Sequence, residues 1–308
     1  MKGNRIRQTV FPILTALIWG TTFVAQSVGA EYVGPFAFNA ARGLVAFLFL
    51  LGFSALLHFR RKHDIQGEAQ TRPHGGRDLL VGGVACGLAL TVASNLQQKG
   101  LETTTSGKAG FITAMYIVIV PLLGLFLKKK IAKQIWLSVI LAVVGLYFLC
   151  VQENVHLVAG DFYVLLSAMC FAVHILIVDC FTKKVDGVDL SCVQFLVVFL
   201  LSGLGAMTLE TLSVEALLPC MGVILYAGVF SSGIAYTLQI LAQKDGDPTV
   251  VSLLLSLESV FATVAGVLVL HERMSGKELL GCGLLLTAVI LAQLPGKTEE
   301  KVPQELIQ

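Results

Sequence analysis

Glu258 stands inside Ser252 to Leu270, SLLLSLESVFATVAGVLVL, an otherwise uncharged run. Holding an acid at a bilayer centre costs roughly 2.5 to 3.5 kcal/mol, so such groups are buried in protein, paired, protonated or functional. Three roles suit Glu258: partner of Arg42, carrier of a proton, or a protonated acid bonded locally for packing. On a helical wheel Ser252, Ser256, Ser259 and Thr263 form one narrow stripe suited to close helix packing. Glu258 lies about 100° or more from that stripe, among Val251, Leu254, Ala262 and Ala265.

Arg42 is the second residue that calls for a partner. It sits within another apolar run and stays charged, so it requires a carboxylate, backbone carbonyls, water or an anionic substrate. Closing a helix contact and binding a substrate are both open to it, and Asn39 lies one turn earlier on the same face. His174 could titrate near neutral pH or serve as a satisfied buried histidine. Further polar sets share helical faces: Trp19, Thr22 and Gln26; Thr91, Asn95 and Gln98; Thr113 and Tyr116; Ser232, Tyr236 and Gln239. Either they satisfy one another between helices or they line one cavity. Lys108 can snorkel to the interface or guide anions.

These residues need helices to carry them. The chain has 308 residues, of which only 14% are charged, and its mean hydropathy is +0.81. That composition excludes an ordinary soluble protein and gives no ground for nucleic-acid binding. Ten apolar segments follow, at 10–28, 35–57, 78–98, 106–127, 134–151, 162–180, 190–209, 216–241, 249–270 and 278–294, each long enough to span as a helix. Residues 59–77 read as a flexible solvated loop and 297–308 as a polar tail. The seven cysteines lie in or beside apolar runs without a CxxC pair and read as packing residues.

The start of the chain, with Lys2, Arg5 and Arg7 before an apolar run, looks like a secretory signal, but an internal repeat argues against removal. An offset of 152 places LTALIWGTTF, from Leu14, on LSAMCFAVHI, from Leu166, and aligns Arg42 with Gln194. Later matches set Gln97 on Gln239 and Met115 on Glu258. An odd number of spans per half inverts the second half in the membrane. The expectation is an all-α polytopic membrane protein of ten transmembrane helices in two inverted five-helix repeats, 1–153 and 154–296, with a cytoplasmic tail. With the N-terminus in the cytoplasm, 17 of the 22 Lys and Arg residues fall on the cytoplasmic side and three on the other.

WGTTFVA at Trp19, the AAR ending at Arg42, KAGFITAMYIVIVPLLG in the fourth segment and LESVFATVAGVLVLHERMSGKELLGCGLLL near the end resemble the EamA-like family of the drug/metabolite transporter superfamily. The resemblance implies a multi-pass inner-membrane carrier with both termini cytoplasmic and a central cavity between the halves. It also implies export of amino acids, other metabolites or toxic compounds. One departure stands out: Ser259 occupies the place where the family commonly has proline, which removes the reason to expect a kink there.

The expected function is therefore a secondary transporter exporting a small polar metabolite such as an amino acid, with proton coupling or facilitated diffusion both open. The substrate-site candidates are Trp19, Thr22, Gln26, Asn39, Arg42, Asn95, Gln98, Tyr116, Ser232, Tyr236 and Gln239. The proton-coupling candidates are Glu258 and His174. The other class is a non-transporting integral membrane protein, either a membrane-embedded enzyme or a scaffold. No enzymatic motif appears: His271-Glu272 lacks HExxH spacing, and the loop histidines His58, His63 and His74 match no metal site. No cofactor is expected. Partners would be the metabolite, the lipid bilayer and, with coupling, protons; Gly83 and Gly87 permit close packing within the chain or in a homodimer.

Overall fold

The computed structural model describes residues 2–64, 76–128, 131–150, 158–211, 214–270 and 275–294. The tail 297–308, the central part of loop 59–77 with His74, Lys129, Lys130 and the stretch from His271 to Met274 lie outside the described residues. The elements are α1 (Lys2–Ala30), α2 (Pro35–Asp64), α3 (Gly76–Gly100), α4 (Ser106–Ala114), α5 (Tyr116–Phe126), α6 (Lys133–Cys150) and α7 (Ala159–Phe181). They continue with α8 (Gly187–Leu209), α9 (Val214–Leu217), α10 (Met221–Tyr226), a π-helix (Ala227–Ala235), α11 (Tyr236–Asp245), α12 (Pro248–Leu255), α13 (Glu258–Leu270) and α14 (Gly276–Gln293). No strand occurs among the described residues. Those residues supply nine helical spans long and apolar enough to cross a membrane, and a tenth, shorter apolar helix covers Lys133–Phe148.

Helix starts follow local capping chemistry. Asp247 accepts from Thr249 N at 2.8 Å ahead of Pro248, whose missing N–H costs nothing in a first turn. Asp186 accepts from Val188 N at 2.9 Å, and Ser275 with Glu278 forms a reciprocal capping box. Large apolar side chains stand exposed on all ten spans, including Leu17, Leu48, Val92, Leu122, Ile140, Met169, Leu204, Leu225, Val264 and Ile290. Lipid is the solvent that suits such a surface. The polar side chains are instead concentrated inside.

Packing runs mainly between early and late helices. Helix α2 lies against α8, α3 against α7 and α8, α6 against α14, and α1 against α11, the π-helix and α13. Gly83 and Gly87 make their close approaches within the chain, facing Val193 and Val197 of α8.

Two spans are interrupted. The fourth changes from α4 to α5 at Met115, where Met115 N bonds Ile112 O at 3.1 Å. Downstream, Pro121 has no N–H to offer the carbonyl of Ile117. The ninth changes from α12 to α13 across Ser256 and Leu257, where Leu257 N bonds Leu254 O and Ser259 N bonds Ser256 O, both at 3.2 Å. The span is thus interrupted just before Ser259 although no proline stands there. Serine hydroxyls supply a cause: Ser252 Oγ bonds Thr249 O and Ser256 Oγ bonds Leu253 O, and such back-bonding bends helices.

Candidate functional site

A narrow cavity of about 30 Å³ lies among α1, α2, α3, α4, α5, α7, the π-helix, α11 and α13. That is room for roughly two water molecules. Of the residues singled out from sequence, Trp19, Thr22, Gln26, Arg42, Thr113, Tyr116, His174, Tyr236, Gln239 and Glu258 line it. Asn39, Asn95, Gln98 and Ser232 do not. Asn39 Nδ2 donates to Ser94 O and Asn95 Oδ1, and Asn95 Nδ2 donates to Thr91 O and Ser202 Oγ, which ties α2, α3 and α8 together behind the wall. Ser232 is buried in the π-helix.

Glu258 and Tyr116 join the two interrupted spans. Tyr116 Oη donates to Glu258 Oε1 at 3.0 Å, and each residue is 2% exposed, so the bond forms away from bulk water. Each begins the helix that follows its interruption. The pairing of Glu258 with Arg42 raised by the sequence is absent: among the described residues, no carboxylate lies within 4.0 Å of the guanidinium. Of the serine stripe, Ser259 Oγ donates across to Gly110 O of α4 at 3.3 Å, whereas Ser252, Ser256 and Thr263 bond carbonyls of their own span. Gly20 of α1 makes this corner possible. A Cβ there would stand 2.6 Å from Glu258 O and 2.8 Å from Ala262 N.

One side of the cavity is a chain of amides. Gln26 Nε2 donates to Gln97 Oε1 and Gln98 Oε1, Gln98 Nε2 returns a bond to Gln26 O, and Gln97 Nε2 donates to Thr113 Oγ1. The other side is aromatic. The Tyr236 ring contacts Trp19 at 4.7 Å, Phe195 at 5.5 Å and His174 at 5.9 Å between centroids. His174 Nε2 and Gln194 Oε1 are 3.1 Å apart, which joins α7 to α8 beside the cavity. Gln239 Nε2 donates to Gln243 Oε1, which leaves Gln239 Oε1 unpartnered within the described protein.

The π-helix sets the angle at which α11 presents Tyr236. Tyr236 N bonds Ser231 O, five residues back, and Thr15 Oγ1 donates to Ala235 O. Gly228 lets this wider turn sit against α2, since a Cβ there would meet Val45 and, at 3.1 Å, Arg42 O. Such π segments recur at functional sites.

Phe23, Gln97, Phe171, Ile175 and Ser231 complete the wall without having been site candidates. For Gln97 a signal was present in its repeat match to Gln239. The apolar residues carried no signal, because an apolar wall and an apolar core look alike in sequence.

At the end of the bundle holding residues 31–34 and 101–105, polar ties close the structure. Lys108 Nζ meets Asp161 Oδ2 at 2.5 Å, and Asp161 also accepts from Thr104 Oγ1 and Val158 N. Lys108 is therefore an ion-pair partner across α4 and α7. Glu210 accepts from Phe36 N at 2.9 Å and Ala37 N at 2.8 Å, capping α2 from the end of α8.

The EamA-like transporter family matches residues 9–151 and 158–294. A protein of Archaeoglobus fulgidus with the name "uncharacterized transporter" is 30% identical over 282 residues, spanning 91% of this chain and 84% of its own. A similarly named Bacillus subtilis protein is 27% identical, covering 94% of both chains, and a WAT1-related chloroplastic protein of Arabidopsis thaliana is 24% identical over 96% of this chain and 71% of its own. A crystal structure shares the fold with a TM-score of 0.74 at 17% identity, over 93% of this chain and 96% of that one.

Proposed function

Since the chain belongs to the EamA-like transporter family, we propose that this membrane transporter is a secondary carrier exporting a small polar metabolite, such as an amino acid, by alternating access coupled to protons. The Tyr116–Glu258 bond between two interrupted spans carries the reading. Interrupted helices at a repeat interface free polar groups for a substrate in mid-membrane, where continuous helices would hide them. Two family matches of similar length, and the packing of α2 on α8 and α6 on α14, support a division into halves 1–153 and 154–296 that rock against each other. The Lys and Arg distribution supports an inner-membrane orientation with both termini cytoplasmic.

In this scheme Glu258 is the group that takes and releases the proton. Tyr116 Oη can donate to it in either state, because a carboxyl keeps an acceptor oxygen whether or not it is protonated. Proton uptake removes a charge from an apolar surround and lets the halves close over it. Trp19, Thr22, Gln26, Arg42, Tyr236 and Gln239 then contact the substrate, and His174 is the second proton candidate. The contracted cavity is too small for an amino acid, so loading requires the halves to separate.

Flux in proteoliposomes with and without a pH gradient is the test. Glu258→Gln is expected to fold and to lose the gradient-dependent part of the flux. A folded Glu258→Gln protein with full gradient-driven flux sinks the assignment.

A further inference from the structure

We infer that Arg42, with the Trp19 indole, forms a carboxylate-binding subsite, so that the cavity takes organic solutes carrying a carboxylate; the subsite rests on the transport reading for its use but not for its binding. Arg42 is 3% exposed and lines the cavity, yet its Nε–H finds no acceptor in the described protein. The Phe38 ring stands 6.0 Å from Cζ to its centroid, a contact that cannot neutralise the charge. A buried, permanently charged guanidinium without an acidic partner is costly, and an incoming anion removes that cost. The indole Nε1–H of Trp19, which also lines the cavity, likewise lacks an acceptor.

Two donors needing acceptors suit a group with two oxygens, and the guanidinium edge presents parallel N–H bonds to a planar carboxylate. The single-cation wall argues for one negative charge rather than a phosphate dianion: among the lining residues Arg42 is the only Arg or Lys. The paired rings of Trp19 and Tyr236, with Phe171 also on the lining, suit an apolar remainder. In the repeat, Gln194 at the position matching Arg42 is neutral and faces His174, so only one half offers the anion subsite.

The experiment is isothermal titration of the purified full-length protein with phenylacetate and butyrate, each against its uncharged primary amide, and with sodium phosphate and chloride. The acids are expected to bind roughly tenfold or more tightly than the amides, as charge-assisted bonds require. Arg42→Gln should erase that preference, Arg42→Lys should keep part of it, and Trp19→Phe should weaken acid binding several-fold. The last two variants carry the test should Arg42→Gln not fold. Equal binding of acid and amide, no binding of either acid, an unchanged preference in the folded variants, or equally tight binding of phosphate or chloride overturns the subsite. Reconstituted flux separates the two readings. Tight acid binding without movement across the bilayer leaves the subsite and removes the transport role, whereas flux of a carboxylate-free solute untouched by Arg42→Gln does the reverse.

Discussion

Gly20→Ala perturbs the corner where α1 crosses the start of α13. The added Cβ would stand 2.6 Å from Glu258 O, 2.8 Å from Ala262 N and 2.8 Å from Phe261 Cβ. Two of these three atoms are backbone, so no side chain can simply swing away. Restoring ordinary contact means separating the helices by roughly 1 Å. Overpacking of this kind costs about 1–3 kcal/mol, which lowers the unfolding temperature by roughly 2–12 °C at the sensitivity of a large domain. The movement also displaces Glu258 relative to Tyr116, so flux should fall with stability. Gly203→Ala is the matched control, because a Cβ on that α8 residue meets nothing within 4 Å. There the better helix propensity of alanine, about 0.5–1 kcal/mol, should leave the unfolding temperature unchanged or higher. The measurement is thermal unfolding of both variants in detergent, followed by intrinsic fluorescence. A Gly20→Ala protein that unfolds at or above the wild-type temperature refutes the close-approach argument.

Other perturbations test the polar ties at the ends of the helices. Lys108→Met removes the cation from Asp161 and should destabilise by about 1.5–3 kcal/mol; adding Asp161→Asn should recover part of this in thermal unfolding, because no uncompensated charge remains. An additive double variant contradicts the pairing. Glu210→Gln weakens the acceptor for Phe36 N and Ala37 N, at a cost of roughly 0.3–1 kcal/mol from the α2 N-terminus. Hydrogen exchange should then quicken at these two amides, and unchanged protection there counts against the cap.

Much of the fold is legible in the chain because lipid imposes a strict rule: apolar runs of sufficient length become helices. The ten spans and the polar interior follow from that rule, as does the isolation of Glu258 from the serine stripe. The break at Ser256 and Leu257 was hidden, since its cause is hydroxyl bonding into the preceding turn instead of a proline. The π-helix was equally hidden, as AGVFSSGIA reads as ordinary helix and its register depends on contacts such as Thr15 to Ala235 O. Side-chain direction limits the site in the same way. Gln98 and Asn95 lie on a face that serves neighbouring helices, whereas Gln97, one residue away, turns toward the cavity. Periodicity marks a polar face, but helix rotation decides which part of it meets the substrate.

The π-helix has a consequence for how this chain tolerates a lost codon. Deleting one residue within a regular transmembrane helix rotates everything beyond it by about 100° and breaks its packing. Across Ala227–Ala235 the hydrogen bonds already skip one residue too many, so a deletion there can be absorbed by closing the wide turn to ordinary α spacing. The span would persist and still cross the bilayer, and Tyr236 N would keep Ser231 O as its partner at ordinary α spacing, so Tyr236 and Gln239 would still face the cavity. A single deletion in this segment should therefore spare both membrane insertion and recognition, two properties that such a lesion in a regular span abolishes together.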